Sequence, residues 1–205
     1  MKVELNSGYI IVEDVAPEAE NSPLLTDDDQ QHLATLNSPA RRSQWATWRT
    51  IVRRHLGPTA TLRYNSAGAP ILVAPVGDVT HLSVSHSAQK VAVIFAKGRC
   101  GVDVEALGRN FGRIAARYIS PTEREALAQS AGPHFEAIMW SAKEALYKYA
   151  QASGVDFTEE MVATRLDAEA RTISIELYGV PQPPLHYTFV DDQVVAYVVE
   201  QHLQF

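Results

Sequence analysis

Two acidic residues stand at the end of a short run of small and apolar residues that is typical of a β-strand. Asp103 and Glu105 flank Val104 and follow Cys100-Gly101-Val102. Because alternate residues of a strand point to the same side, both carboxylates face one way and the valines the other. Gly101 allows another backbone to come close. Two carboxylates on a rigid strand suit a hard divalent cation such as Mg²⁺, although solvated acids at an exposed strand end give the same pattern.

A second group lies in a predicted helix, in the segment Trp140-Ser141-Ala142-Lys143-Glu144-Ala145-Leu146-Tyr147-Lys148. Glu144 and Lys148 are four residues apart and share a face with Trp140, apart from the apolar face of the helix. The spacing is compatible with a simple surface ion pair between Glu144 and Lys148. The alternative interpretation is a third metal-binding acid next to a lysine that binds phosphate, although the spacing alone favours the ion pair.

A histidine and several arginines are further candidates for anion binding. Ser85-His86-Ser87 ends a predicted strand, where a histidine between small hydroxyl residues can donate to a phosphate or serve a structural role. In the helix predicted from Arg41 to Leu56, Arg42, Arg49 and Arg53 share one face. A solvated helix face is the alternative interpretation of these arginines.

Helices and strands must position these groups, and their pattern predicts an α/β (α+β) protein. The strand-like runs include 8–12, 81–85, 90–95, 100–104, 172–177, 186–190 and 194–199, and the predicted helices cover 41–56, 121–129 and 135–150. The runs 81–85, 90–95 and 100–104 suggest a meander, and 64–70 reads as a turn. We expect two halves, 1–100 and 101–205, each with a small sheet and a long helix.

Composition narrows the class of protein. The chain has 205 residues, 46% of them hydrophobic, which is enough for a sizeable core. Its 18 basic and 24 acidic residues give a net charge of −6, so we expect neither nucleic acid nor an anionic membrane as partner. The single cysteine, Cys100, precludes an internal disulfide and is interpreted as a small buried side chain. The apolar runs are too short to span a bilayer, so we expect a cytoplasmic protein.

Taken together, the motifs resemble those of the 4′-phosphopantetheinyl transferase superfamily, in its long, two-half Sfp-type branch. The family pattern Gly-[Ile/Val]-Asp-x-Glu is matched from Gly101 to Glu105. The pattern Trp-[Ser/Thr]-x-Lys-Glu-[Ala/Ser]-x-x-Lys is matched from Trp140 to Lys148, about 35 residues further on. The resemblance covers roughly residues 38–150 by motif. It implies two halves related by a pseudo-twofold axis, with coenzyme A between them, and therefore a monomer.

The resemblance also implies an activity and a set of site residues. The reaction is Mg²⁺-dependent transfer of phosphopantetheine from coenzyme A to a serine of an apo acyl or peptidyl carrier protein, releasing adenosine 3′,5′-bisphosphate. Glu144 and Lys148 are the implied catalytic residues. The implied metal ligands are Asp103, Glu105 and Glu144, and the implied coenzyme A contacts are Arg41 or Arg42, Gly68, Pro70, Ser85, His86 and Lys148. One departure is Ala69, since the family usually has lysine between this glycine and proline.

The partner and the competing functions follow from the remaining charged residues. Arg109, Arg113 and Arg117 recur every four residues after the first motif, and a helix there would present a basic ridge to an acidic carrier protein. A solvated arginine face is the alternative. Glu123, in Ser-x-Thr-Glu, is interpreted first as a helix-start acid. A non-catalytic homologue that binds carrier protein or nucleotide, and a Mg²⁺-dependent phosphohydrolase, are the other functions compatible with these residues.

Overall fold

The chain divides into two compact units, one spanning residues 1–98 and the other beginning at Arg99. The computed structural model describes residues 1–66 and 68–200. Ala67, which belongs to the predicted turn at 64–70, lies outside the described residues, as do residues 201–205 at the end of the predicted C-terminal half. Each described unit combines an antiparallel sheet with a long helix. The predicted mixed α/β class is confirmed.

The first unit is built around a four-stranded antiparallel sheet. Its elements in chain order are β1 (Lys2–Leu5), β2 (Gly8–Asp14), α1 (Asp27–Thr35), α2 (Pro39–Leu56), β3 (Leu62–Tyr64), β4 (Pro70–Leu72), β5 (His81–His86) and β6 (Lys90–Ala96). The sheet has the order β1-β2-β6-β5, and β3 and β4 form a separate hairpin. Strand β1, helix α1 and the two short strands of the hairpin were not predicted from the sequence.

Helix α2 lies where the pattern predicted a helix, and local signals set its ends. The Ser38 side chain accepts a hydrogen bond from the backbone N–H of Arg41 at the N-terminus, and Gly57 adopts a φ of 89° at the C-terminus. Trp48, Ile51 and Val52 are buried in a cluster with apolar side chains of β6. The helix therefore buries one stripe on the sheet and leaves Arg41, near its first turn, exposed.

Two of the three arginines on one face of α2 are neither solvated nor open to an anion, so both interpretations of that face are wrong for them. Arg49 and Arg53 are buried, and both contact Asp29 of α1: Arg49 Nε lies 2.7 Å from Oδ1, and Arg53 Nη2 lies 3.3 Å from Oδ2. Asp29 also closes the capping box of α1 with Thr26. Burial alone raises the pKa of Asp29, but the hydrogen bonds from Thr26 and Arg49 and the charge of Arg53 outweigh it and hold the pKa below its usual value.

The second unit is built around a six-stranded antiparallel sheet. Its elements in chain order are β7 (Cys100–Ala106), α3 (Pro121–Ala131), α4 (Phe135–Ala150), β8 (Met161–Asp167), β9 (Thr172–Leu177), β10 (Val180–Pro181), β11 (Leu185–Val190) and β12 (Gln193–Val199). The order is β10-β9-β11-β12-β7, with β8 also paired to β9. Helix α4 contacts β7, β12 and β11. Its predicted apolar stripe, from Phe135 to Tyr149, is buried.

The predicted meander of three strands is correct for two of them. Strand β5 pairs with β6, but β7 pairs with β12 of the second unit, with Asp103 opposite Ala196 and Glu105 opposite Val194. The turn signal Lys97-Gly98-Arg99 therefore marks the passage from one unit to the other. Cys100, the first residue of β7, is buried and burial raises the pKa of its thiol, as expected of a small core residue. No helix in 1–66 or 68–200 combines the length and apolarity needed to cross a membrane.

Candidate active site on strand β7 and helix α4

Gly101 brings the two acidic motifs together by letting helix α4 come against strand β7. A Cβ atom at this position would lie 2.0 Å from the carbonyl oxygen of Ala145 and 2.8 Å from the backbone N of Tyr149. Only a residue without a side chain fits there. The close backbone approach foreseen at Gly101 is therefore made by the helix that carries the second motif. As a result, the acids of β7 and the face of α4 with Trp140, Glu144 and Lys148 lie in contact.

Lys148 bonds to the strand rather than to the neighbouring glutamate of its own helix. Its Nζ donates to Asp103 Oδ1 at 2.9 Å and to the carbonyl oxygen of Val102 at 3.0 Å. The Asp103 side chain is 6% exposed and that of Lys148 27%. The simple Glu144–Lys148 surface pair is therefore not what the structure contains. Lys148 places a positive charge at the acidic strand end.

Glu105 is held by two groups from different segments. Trp140 of α4 donates from Nε1 to Glu105 Oε1 at 2.9 Å, and Arg109 pairs with the same oxygen through Nη1. Burial raises the pKa of Glu105, and the charge of Asp103 adds to this, whereas the bonds from Arg109 and Trp140 lower it in part. The Arg109 guanidinium also lies over the rings of Phe111 and Trp140. The carboxylate is thus fixed by a charged and a neutral donor.

Glu144 is half-buried on the face of α4 that carries Trp140 and Lys148. It lies close enough to Asp103 and Glu105 for their charges to affect its pKa. Burial raises the pKa of its carboxyl, the charges of Asp103 and Glu105 raise it further, and those of Lys148 and Arg109 oppose them. Among residues 1–66 and 68–200, no side chain or backbone group forms a hydrogen bond to the Glu144 carboxylate. This carboxylate is therefore available to accept a proton from a bound hydroxyl group.

Whether these acids suit a metal ion depends on chemistry and on arrangement. Three carboxylates close enough that the charge of Asp103 raises the pKa of both Glu105 and Glu144 are a donor set of the kind that hard divalent cations prefer. In the described part of the chain, however, no three His, Cys, Asp or Glu side chains are grouped so that they could hold a metal ion. Oxygens of Asp103 and Glu105 contact Lys148 and Arg109 instead. As arranged, the predicted metal ligands do not form a metal site.

Lys143 of the second motif points away from this cluster and into the core. Its side chain is fully buried, and its Nζ lies 2.6 Å from Glu123 Oε1 and donates to the carbonyl oxygen of Phe157 at 2.7 Å. Glu123 accepts further bonds from the backbone N–H groups of Ser120 and Ala163. The expected helix-start role of Glu123 is present as a capping box. The buried ion pair between Lys143 and Glu123 was not predicted from the sequence. The only sequence feature that drew attention to Glu123 was its place in a capping box.

In the first unit, Arg41 and Arg42 have different surroundings. Arg42 Nε pairs with Glu20 Oε2 at 3.1 Å, and the same glutamate accepts from the Ser43 hydroxyl. Arg41 is exposed, and no ion pair to it occurs in the described ranges, which lack only Ala67 and 201–205. Its backbone N–H is engaged in the Ser38 cap. Arg41 is therefore the one of the two whose guanidinium remains available to an anion.

The predicted turn and the end of β5 also lie in the first unit. Gly68 has a φ of 78°, Ala69 donates to Asn65 Oδ1 at 2.9 Å, and Pro70 begins β4. Positive φ explains glycine at 68. Ser85 is buried within β5 and His86 is exposed at its last position. These candidates are thus held by the hairpin and the sheet of the first unit, whereas Asp103, Glu105, Glu144 and Lys148 belong to the second.

The segment after β7 does not form the expected arginine-bearing helix. It folds into two short 3₁₀ turns, Phe111–Arg113 and Ala115–Arg117. The three arginines therefore do not form one ridge, because Arg109 is bound to Glu105. Phe111 and Tyr118 of this segment are buried. Arg113 and Arg117 are exposed on this segment.

Sequence reasoning missed two contacts of this site. Arg109 and Trp140 both reach Glu105, at separations of 4 and 35 residues. The four-residue spacing between Glu105 and Arg109 could have indicated their ion pair, but Arg109 was interpreted as the first arginine of a helix. Nothing local indicates the second, because it depends on α4 lying against β7.

Comparison with known families agrees with the geometry of the second unit. Residues 99–199 match the family model described as the 4′-phosphopantetheinyl transferase superfamily. The matched stretch runs from the residue before β7 to the end of β12 and contains Asp103, Glu105, Glu144 and Lys148. Comparison with curated proteins gave no significant match. The second unit is therefore similar to phosphopantetheinyl transferases.

Proposed function

Starting from this family match, we propose that the protein transfers the 4′-phosphopantetheine group of coenzyme A to a serine hydroxyl of an apo carrier protein. The adenosine 3′,5′-bisphosphate part of coenzyme A is the leaving group. The two-half Sfp-type branch is the form of the enzyme that we assign, acting as a cytoplasmic monomer. The observation that carries the proposal is the packing of α4 on β7 at Gly101, which places Glu144 and Lys148 beside Asp103 and Glu105.

In the proposed reaction the serine oxygen attacks the phosphorus next to the pantetheine arm. The bond between that phosphorus and the bridging oxygen of the pyrophosphate breaks, and the bridging oxygen leaves with the nucleotide. Catalysis of phosphoryl-type transfer depends mostly on positioning and on neutralising charge. Glu144 accepts the serine proton, because its carboxylate has no other hydrogen bond in the described residues and its raised pKa brings it nearer to the working pH.

Lys148 is the residue that we assign to the pyrophosphate. Its ammonium group already stands at the acidic strand end, 2.9 Å from Asp103 Oδ1, and retains partial exposure to solvent. A lysine is a compact point charge whose three donors can be shared between a carboxylate and a phosphate oxygen. Lys148 therefore binds the negative charge that grows on the leaving group.

Mg²⁺ dependence is part of the proposal through the family resemblance, with Asp103, Glu105 and Glu144 as the ligands. When bound, Mg²⁺ would neutralise part of the pyrophosphate charge. Since these carboxylates are not grouped as a metal site here, the steps above are assigned to side chains alone.

The remaining coenzyme A contacts are assigned to the first unit. Arg41 binds the 3′-phosphate in preference to Arg42, because Arg42 is paired with Glu20. His86 at the exposed end of β5 binds a phosphate, and Ser85 lines the nucleotide pocket beside it. Gly68 and Pro70 contribute the turn next to the adenine, where Ala69 supplies backbone only.

An acidic carrier protein is the proposed second substrate, and Arg113 and Arg117 are its proposed contacts. Both side chains are exposed on the 3₁₀ turns that follow the acidic strand end. Long-range attraction between these charges and an acidic carrier would speed their encounter. Arg109 is left out of this contact because it is bound to Glu105.

Intact-mass spectrometry of the carrier tests the proposal. The purified protein is mixed with coenzyme A, Mg²⁺ and an apo acyl carrier protein, with and without a chelator. A gain of one phosphopantetheine mass that depends on Mg²⁺ is the expected result. No gain with several carriers, while coenzyme A still binds, would instead indicate a non-catalytic binding protein.

The Glu144→Gln variant tests the assigned base in the same assay. We expect transfer to fall by about a hundredfold or more while coenzyme A binding is retained, since removal of a general base costs that much. Glu136→Gln is the matched control, because Glu136 lies on the same helix and pairs at the surface with Arg124. Normal transfer by Glu144→Gln would remove Glu144 from the role of base.

A further inference from the structure

The turn that joins β5 to β6 is bonded to a side chain of helix α2. Gln44 donates from Nε2 to the carbonyl oxygen of Ser87 at 2.8 Å, and Ser87 directly follows His86 in the chain. We propose that Gln44 is a positioning residue for coenzyme A, which sets His86 at the place where it binds a phosphate. This role rests on the proposed function, which assigns His86 to a phosphate. Gln44 lies outside the two acidic motifs and takes no part in the steps described above.

Within the turn, Ser87 is the residue on which the local bonds converge. It is buried, and its backbone N–H donates to the carbonyl oxygen of Lys90 at 2.9 Å. Its hydroxyl accepts from the backbone N–H groups of Gln89 and Lys90, at 3.2 and 3.0 Å. These bonds give the turn its own shape, as hydroxyl side chains often do in turns. The bond from Gln44 uses the carbonyl group of the same serine and attaches the turn to α2.

The two sides of the turn are attached to different elements. On the β6 side, Val15 donates to the carbonyl oxygen of Gln89 at 2.7 Å, and Lys90 Nζ lies 2.7 Å from Asp14 Oδ1 at the end of β2. On the β5 side, the bond from Gln44 meets the residue next to His86. Loss of the Gln44 bond should therefore loosen the β5 side while the turn stays attached through its β6 side.

The face of α2 that carries Gln44 also carries other groups assigned to coenzyme A binding. Arg41 precedes Gln44 by three residues, so their Cβ atoms are about 5–6 Å apart on the helix. Trp45, the next residue on this face, donates from Nε1 to the hydroxyl of Tyr64 at 2.9 Å. Tyr64 ends β3, directly before the turn that contains Gly68. One face of α2 therefore bears Arg41 and bonds to both segments of the first unit that are assigned to the nucleotide.

The chemistry of the ligand explains why such attachment matters. Coenzyme A carries phosphate groups at two places, the pyrophosphate and the 3′-phosphate, and the proposed contacts are His86 and Arg41. Side chains that must be ordered on binding lower the affinity, whereas side chains placed beforehand do not. Helix α2 is a rigid element, and the bond from Gln44 transmits its position to the residue after His86. Gln44 therefore reduces the cost of bringing both contacts to one ligand.

Binding of coenzyme A, measured by isothermal titration calorimetry without carrier protein, tests this role. Gln44→Met retains the length and helix propensity of the side chain but removes the donor. We expect its Kd for coenzyme A to rise about three- to tenfold, the effect of losing one neutral hydrogen bond. Gln30→Met is the matched control, because Gln30 of α1 likewise donates from Nε2 to a backbone carbonyl oxygen, that of Glu20, at 3.1 Å. Its Kd should equal that of the wild type.

A double-mutant cycle distinguishes action through His86 from a general structural effect. His86→Ala should weaken binding by itself, and Gln44→Met should then add nothing, because no imidazole is left to position. An unchanged Kd for Gln44→Met overturns the inference, and so does an equal loss with and without His86 in proteins that unfold at the wild-type temperature. In both cases the proposed function stands. Absence of coenzyme A binding to the wild type rejects the function and the positioning role together. The expected cycle without carrier modification supports the role of Gln44 and rejects only the transfer.

Discussion

Lys143 Nζ lies 2.6 Å from Glu123 Oε1, and both side chains are excluded from solvent. The pair joins the middle of α4 to the first turn of α3, and Glu123 also binds the backbone of β8 through Ala163. One ion pair therefore ties three elements of the second unit around the helix that carries Glu144 and Lys148. The middle lysine of the second motif has a structural role, whereas its last lysine contacts the acidic cluster.

Lys143→Met should destabilise the second unit strongly. The substitution leaves the Glu123 carboxylate buried without its cation, which typically costs about 3–5 kcal/mol. Urea unfolding followed by circular dichroism measures the change. Arg124→Met is the control, because Arg124 forms an exposed pair with Glu136, and such pairs contribute about 1 kcal/mol or less. Equal losses in the two variants would contradict the role assigned to the buried pair.

Gly101→Ala should separate α4 from β7. The added Cβ would lie 2.0 Å from the carbonyl oxygen of Ala145, so the helix has to move. Overpacking of this kind costs about 1–3 kcal/mol or more. Lower thermal stability and loss of transfer are expected together. Gly108→Ala is the control, since nothing lies within 4 Å of a Cβ at that exposed position. Full activity of Gly101→Ala at normal stability would show that the close packing is not required.

Asp29 should make the first unit sensitive to acid. Its pKa in the folded protein is below the usual aspartate value, so its contribution to stability is complete at neutral pH and is lost as pH falls through the folded pKa. Unfolding free energy should therefore decline more steeply below about pH 4 in the wild type than in Asp29→Asn. Asp28→Asn, at an exposed position of the same helix, should retain the wild-type slope. Identical slopes for wild type and Asp29→Asn would contradict this assignment.

Arg41 and Arg42 should have separable roles. Arg41→Ala is expected to raise the KM for coenzyme A about tenfold, the effect of losing one charged contact to phosphate, without changing thermal stability. Arg42→Ala breaks the pair with Glu20 and should lower stability by up to about 1 kcal/mol while leaving KM nearly unchanged. Steady-state kinetics with varied coenzyme A, together with thermal unfolding, measures both. The reverse pattern would assign the 3′-phosphate to Arg42.

The arginines of the 3₁₀ turns should control carrier recognition. Reversing both charges, in Arg113→Glu/Arg117→Glu, should raise the KM for an acidic carrier at least several-fold at low salt and less at high salt. The KM for coenzyme A should not change. Arg165→Glu is a control for overall charge, since Arg165 is exposed on β8 of the same unit. An unchanged carrier KM would reject these residues as the docking contact.

Local patterns in the sequence determined the main elements of both units. The apolar face of the helix predicted at 135–150 and the Ser-x-Thr-Glu signal before α3 act within a few residues, so they predicted the positions of α4 and α3, and α2 was likewise predicted from local pattern. Strand periodicity likewise predicted that Asp103 and Glu105 lie on one face of a strand. Helix periodicity predicted that Glu144 and Lys148 lie on one face of a helix. The two motifs together were specific enough to indicate a phosphopantetheinyl transferase, in agreement with the match over residues 99–199.

Tertiary packing decided what those residues touch. The sequence left Arg49 and Arg53 on an apparently solvated face, and only the approach of α1 supplied the buried Asp29 that pairs with them. Strand β7 pairs with β12, nearly a hundred residues away, and not with β6, which precedes it in the chain. Strand pairing depends on which strand edges meet in space. Gly101, Trp140 and Arg109 acquired their roles at the contact of α4 with β7. Such contacts join residues distant in sequence, and local periodicity carries no information about them.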